Sequence, residues 1–141
     1  MNFLLDTNVL SEVRRPSPDA NVLRWLDVLD EDRAFLSVIT IAELRRGISL
    51  MDTGLRRDAL AAWISNDLPN RFAARILPID AQIAEQWGDL MAATRRQGLA
   101  LSVMDGFLAA TALVSGLVVV TRNTKDFAPV GVPVFNPWTY E

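Results

Sequence analysis

Apolar residues along this chain follow two rhythms. Short apolar runs at Phe3 to Leu5, Ala34 to Ser37, Ile76-Leu77, Leu117 to Thr121 and Val132 to Phe135 are too brief for helices and predict buried strands. The fourth run is mostly β-branched, the composition of strands covered on both faces. Between these runs apolar residues recur at helical spacing: Val22, Leu26 and Leu29, then Ile41, Leu44 and Ile48, then Ile83, Trp87, Leu90, Met91 and Thr94. They predict helices over Thr7 to about Arg15, from a cap at Asp19 to about Asp30, around Ile41 to Ile48, over Leu55 to Asp67, from Asp80 to Gly98, and from Ser102 through Leu113. Pro16 and Pro18 stop the first, and Pro69 closes the fourth. Strands alternating with helices at this spacing predict an α/β domain whose central, mainly parallel sheet is flanked by helices. No repeat, linker or low-complexity tract interrupts residues 1–141, which read as a single domain.

The inventory narrows the chemistry. With no cysteine and no histidine among 141 residues, thiolate zinc sites, disulfides, imidazole general bases and every Ser-His-Asp or Cys-His triad are excluded. Acid–base or metal chemistry must use carboxylates. Half the residues are hydrophobic, but no apolar run is long enough to span a bilayer and no signal-peptide pattern opens the chain, so a cytoplasmic protein with no membrane partner is expected. The net charge of −3 does not announce a nucleic-acid binder. The distribution says more: thirteen of fourteen cations are arginine, eight of them in the pairs Arg14-Arg15, Arg45-Arg46, Arg56-Arg57 and Arg95-Arg96. Such pairs fit a phosphate backbone, but solvated helix faces with local carboxylate partners explain any single pair better.

Several acids stand at element ends rather than on polar helix faces. Asp6 follows the first strand, Glu43 lies in the helix after the second, Asp105 lies one turn into the helix before the Val-rich strand, and Asn123 and Asp126 follow that strand. In open α/β sheets ligands bind outside the carboxyl ends of the strands, so these segments can deliver oxygen ligands to one sheet edge. Each acid has a plainer reading. Asp6-Thr7-Asn8 suits a helix cap, and Thr40 to Glu43 and Ser102 to Asp105 both have the capping-box spacing. Against that, Ile-Ala-Glu-Leu and Met-Asp-Gly-Phe-Leu bury a carboxylate in apolar sequence, which is costly unless it is paired or coordinated. Three carboxylates within about 5 Å would repel pairwise by about 3 kcal/mol at an effective dielectric near 20. A hard cation, magnesium or manganese, suits an all-oxygen donor set.

Five segments in order carry a family likeness: Leu4 to Glu12, Leu36 to Leu44, Asp105 to Ala112, Thr121-Arg122-Asn123, and Phe135 to Trp138. With them the chain resembles the PIN-domain ribonucleases, and within these the toxins of VapBC-type toxin–antitoxin pairs, FitB above all. The resemblance implies a PIN fold and a Mg2+-dependent endoribonuclease, with Mn2+ as a substitute. It implies that Asp6, Glu43 and Asp105 are the acidic metal ligands and catalytic residues. Where some members carry a fourth aspartate this chain has Asn123, with Asp126 three residues on. Either residue is a candidate to complete the coordination.

The implied reaction is hydrolysis of an RNA phosphodiester by a metal-activated water, leaving a 5′-phosphate and a 3′-hydroxyl. Thr7 and Thr111 are expected to hydrogen-bond the ligating carboxylates, and Arg122, Arg45 and Arg46 to contact RNA. A homodimer and a cognate DNA-binding antitoxin of the VapB or FitA kind follow from the same likeness. Two other readings compete. One is a PIN-like module that has lost catalysis and only binds protein or RNA, with Asn123 as a sign of decay. The other is a phosphotransferase of the haloacid-dehalogenase kind, which needs an aspartate where this chain has Asn8.

Overall fold

Strand β1 (Asn2–Leu5) shows why the molecule has two cores rather than one. Successive side chains of a strand point to opposite faces, so Leu4 enters one hydrophobic cluster and Leu5 the other. Val119 and Val120 of the Val-rich strand divide in the same way. Both faces of the sheet are therefore covered, as the near-continuous apolar runs require.

In the computed structural model of residues 1–141, β1 leads into α1 (Thr7–Val13) and α2 (Ala20–Val28). A 3₁₀ turn at Glu31–Arg33 follows, then β2 (Ala34–Ser37) and α3 (Val38–Ser49). Next come α4 (Leu55–Ala62), a π turn at Trp63–Asp67, α5 (Leu68–Arg71) and β3 (Ile76–Leu77). The chain then forms α6 (Ala81–Arg96), α7 (Val103–Ser115), β4 (Leu117–Val120), α8 (Thr124–Phe127) and β5 (Val134–Phe135). Short 3₁₀ turns at Ala128–Val130 and Pro137–Thr139 flank β5. The five strands are all parallel, in the order β3-β2-β1-β4-β5. No helix is long and apolar enough to cross a membrane.

This order dictates where a ligand belongs. The chain winds outward from β1 through β2 to β3, then returns to place β4 on the other side of β1. The switch point lies between β1 and β4, and the crevice outside their carboxyl ends is the usual binding site of such a sheet. Residues leaving β1 and β4, Asp6 and Thr121 to Asn123, are the first to reach it.

Element boundaries depart from the sequence reading for local reasons. The helix expected over Leu55 to Asp67 does not end before Pro69 but continues through it. Proline lacks an N–H and its ring crowds the carbonyl four residues back; the turn before it widens, with the Leu68 N–H reaching the Trp63 carbonyl five residues away. Strand β5 begins at Val134 rather than Val132, because Pro133 cannot donate; its carbonyl still accepts from Val119 N at 2.9 Å. Helix α7 ends on Gly116, whose φ of +67° places it in the left-handed conformation that caps a helix and turns the chain into β4.

Candidate active site

Asp6 is one step past β1, and its backbone N–H still joins the ladder to Val120 O at 2.9 Å. It caps α1, as the Asp-Thr-Asn sequence allows: its Oδ1 accepts from Thr7 N at 2.7 Å. Capping uses one oxygen. The other, Oδ2, accepts from the Thr121 hydroxyl at 2.8 Å and lies 3.4 Å from Asn8 Nδ2. With 6% of its surface exposed, Asp6 is nearly buried. Burial raises its pKa from 3.8 to about 6; the hydrogen bonds from Thr121 and Thr7 oppose the rise, and the charges of Asp105 and Glu43 add to it.

Glu43 is not the end of a capping box. Helix α3 begins at Val38 with Ser37 as its cap, so Thr40 and Glu43 already lie inside the helix. The Glu43 carboxylate instead reaches across to α1, where Oε1 accepts from the Thr7 hydroxyl at 2.9 Å. Asp105 stands in the first turn of α7 with its N–H bonded to Ser102 Oγ at 3.1 Å, as its spacing predicts. Burial also raises its pKa; a hydrogen bond with the Ser102 side chain opposes the shift, and Asp126 reinforces it.

The first turn of α7 is held in place by α6. Trp87 Nε1 donates to Val103 O at 3.2 Å, and the indole stacks on Phe107 with ring centroids 4.8 Å apart. Gly106 permits the approach: a Cβ there would stand 2.6 Å from Met91 Sδ and 2.9 Å from Trp87 Nε1.

Asp6, Glu43 and Asp105 line one open cleft of about 550 Å³ with Asn8, Glu12, Arg122, Asn123 and Trp138 among its walls. Asn123 is thus in the cleft, and its N–H donates to Thr121 Oγ1 at 3.0 Å. Asp126 lines the neighbouring groove, which it shares with Asp105 and Arg95. Thr7 meets a carboxylate as expected. Thr111 does not: it is buried and donates to Phe107 O of its own helix at 2.7 Å. Arg122 lines the cleft with its guanidinium 5.3 Å from the Trp138 ring. Arg45 and Arg46 do not line it; Arg45 donates to Ser65 Oγ at 2.6 Å on the π turn.

Three contributors escaped the sequence reading. Thr121 accepts from Asn8 Nδ2 at 3.2 Å as well as from Asn123 N, so one hydroxyl laces the ends of β1 and β4 together. Asn8 Oδ1 accepts from Arg122 N at 3.4 Å. Glu12, only 4% exposed, accepts from Asp19 N at 2.8 Å and from Arg15 Nη1 at 3.2 Å, which ties the α1–α2 connection down beside the cleft. Its signal was present in the sequence: Glu12 lies three residues after Val9, on the apolar side of α1.

The carboxylates surround the cleft without three of them closing on a single point. Their donor set is all oxygen, and the charges of Asp105 and Glu43 both bear on Asp6 in its desolvated place. Such a donor set suits a hard divalent cation that keeps several of its waters, and Asp6, Glu43 and Asp105, with Asn123 in the same cleft, are the residues that would hold it.

A family model described as PIN domain matches residues 3–132. Toxin FitB of Neisseria gonorrhoeae is 41% identical over 136 residues, covering 96% of this chain and 98% of that protein. VapC ribonuclease Y4jK of Sinorhizobium fredii is 38% identical over 136 residues, with 96% and 97% covered. The structure of FitAB bound to the IR36 DNA fragment superposes with a TM-score of 0.92 at 39% identity, covering 99% of this chain and 97% of that one.

Proposed function

The chain belongs to the PIN-domain family, in the branch of the VapC and FitB toxins, and on that footing we propose that it is a magnesium-dependent endoribonuclease, the toxin of a toxin–antitoxin pair. The observation that carries the reading is the joint placement of Asp6, Glu43 and Asp105 in one cleft at the switch point of the sheet. A name of the VapC ribonuclease kind among its relatives supports RNA as the substrate, and the FitAB–DNA complex supports a DNA-binding antitoxin as partner. A homodimer follows from the family likeness.

In this reading Asp6 and Asp105 hold the cation, with the Thr121 and Thr7 hydrogen bonds keeping the Asp6 carboxylate ionised and aimed. Bound magnesium supplies Lewis-acid polarisation of the scissile phosphate and a more acidic water. Glu43, fixed by the Thr7 hydroxyl, orients the attacking water and takes up its proton. Arg122, laid on Trp138 at the cleft wall, faces the substrate phosphate. Nothing in the cleft favours a binding-only module, since all three acids are present and face it.

The test is cleavage of single-stranded RNA by protein freed of antitoxin. Activity is expected with magnesium or manganese, lost with chelator, and lost in Asp105→Asn while the circular dichroism spectrum stays that of the parent. Undiminished cleavage in the chelator would overturn the reading.

A further inference from the structure

The acidic cleft does not end at its own walls. Thr7, Ser11 and Glu43 also line a second groove, of about 210 Å³, that runs along α1 to Arg14, Arg56 and Trp63. Thr7, Ser11 and Arg14 recur at i, i+4 and i+7, so they lie along one face of α1, of which Arg14 is the C-cap. At 1.5 Å per residue, Arg14 stands about 10 Å along the helix from Thr7.

Charge reverses along this path. The cleft is lined by Asp6, Glu12, Glu43 and Asp105 against Arg15 and Arg122, whereas the groove beyond carries Arg14 and Arg56 against Glu43 alone. Neither arginine belongs to an ion pair; the molecule's three are Arg15–Glu12, Arg33–Asp30 and Arg71–Glu31. Arg14 lies over the Trp63 ring, 5.2 Å from its centroid, and Arg56 Nη2 donates to Arg14 O at 3.2 Å. At the other side of the cleft Arg122 lies over Trp138 in the same manner. A guanidinium resting on an indole face has little freedom left to lose, and its N–H edges remain free to fork onto a phosphate. The acids thus lie between two arginines, each braced on a tryptophan.

We propose that the Arg14–Arg56 groove is a binding track for the backbone of single-stranded RNA, holding phosphates beyond the scissile bond while Arg122 holds the strand on the opposite side. The track rests on the ribonuclease reading above. It also explains how an acidic protein retains a polyanion: beyond the reaction centre the two arginines of the groove outnumber its one acid, Glu43.

The test is binding by the full chain carrying Asp105→Asn, so that bound RNA is not cut, measured by the fluorescence anisotropy of a labelled heptanucleotide across a potassium chloride series. Arg56→Ala and Arg14→Ala are each expected to weaken binding several-fold and to lower the slope of log Kd against log salt by about 0.7. Arg96→Ala, outside both grooves, should change neither, and Arg56→Lys should restore the slope. Arg14→Ala removes the cover on Trp63, so Arg56→Ala, whose side chain makes a single hydrogen bond, carries the test if Arg14→Ala unfolds. In the chain with Asp105 intact, Arg56→Ala should raise KM with kcat unchanged. Parental affinity and slope in Arg56→Ala would overturn the track and leave the nuclease reading standing; an acidic protein segment would then be the ligand of these arginines. Weakened RNA binding in a protein that never cleaves would support the track and overturn the nuclease reading.

Discussion

The Thr121 hydroxyl donates to Asp6 Oδ2 at 2.8 Å, bridging residues 115 apart in sequence but adjacent at the ends of two neighbouring strands. The same oxygen accepts from Asn8 and from Asn123. One buried threonine thus ties both sides of the switch point to the acid at its centre.

Thr121→Val keeps the branched shape and removes that junction. It leaves the Asn8 amide and the Asn123 N–H without their acceptor, and a loss of about 2 kcal/mol in urea unfolding is expected. Cleavage should fall at least tenfold, because Asp6 loses a hydrogen bond that favours its charged form. A variant as active as its parent would show that the junction does not serve the site.

Asp6 makes metal-free stability depend on pH. Its folded pKa of about 6 lies above the unfolded 3.8, so the folded state holds the extra proton, and stability falls as pH rises between these values. The full difference is about 3 kcal/mol. In EDTA, Asp6→Asn should therefore match its parent near pH 3.5 and exceed it above pH 6.5. The gain stays below about 3 kcal/mol, since the new amide N–H faces the Asn8 amide and the Thr121 hydroxyl loses an acceptor. Urea unfolding at the two pH values checks the sign.

The same charge predicts how a cation acts on the whole fold. At pH 7.5, magnesium at about a hundredfold excess over its Kd should stabilise the protein by about 2.7 kcal/mol. Calorimetry should show a rise in Tm in the parent and none in Asp6→Asn. An unmoved parental Tm at any magnesium concentration would remove the cation from the site.

Asn123 and Asp126 separate cleanly. Asn123→Asp adds a carboxylate to the cleft and should tighten cation binding. Asp126→Ala should leave cleavage at neutral pH near the parental rate. It should also move the titration of Asp105, followed by NMR in the metal-free protein, to lower pH, since Asp126 helps to raise it.

Gly106→Ala tests the seat of Asp105. The added methyl meets the rigid, stacked Trp87 and Met91 at sub-contact distance. Overpacking should cost about 1–3 kcal/mol, partly offset by the better helix propensity of alanine. Because α7 must shift at its first turn, cleavage should drop more than stability does.

Asp6 was legible as a strand-end acid because its strand is apolar and its successors are turn residues. Asp105 was legible as the fourth residue of a capping box, and the sequence could not say that it also faces a cleft. Glu43 was harder: the Thr40 spacing imitates a cap, and only Ser37 taking that role three residues earlier releases Glu43 for α1. Thr111 was placed beside a carboxylate by likeness alone, whereas a buried helical threonine readily bonds the carbonyl four residues back. The arginine pairs do not act as units. Arg14, the C-cap of α1, turns to Trp63, while Arg15 in the bend that follows turns to Glu12. Thr121 stayed hidden because two of its partners, Asp6 and Asn8, lie more than a hundred residues away.

The alternation by which Leu4 and Leu5 serve opposite cores has a further consequence for a protein whose activity would be harmful in the wrong state. Sliding β1 by one residue against its neighbours would exchange the two leucines between faces and push the Asp6 carboxylate toward the apolar interior. Threading errors and a misplaced acid are therefore the same event, so a chain that has not found its register cannot assemble a working cleft. Potency is tied to correct folding by the pleat of a single four-residue strand.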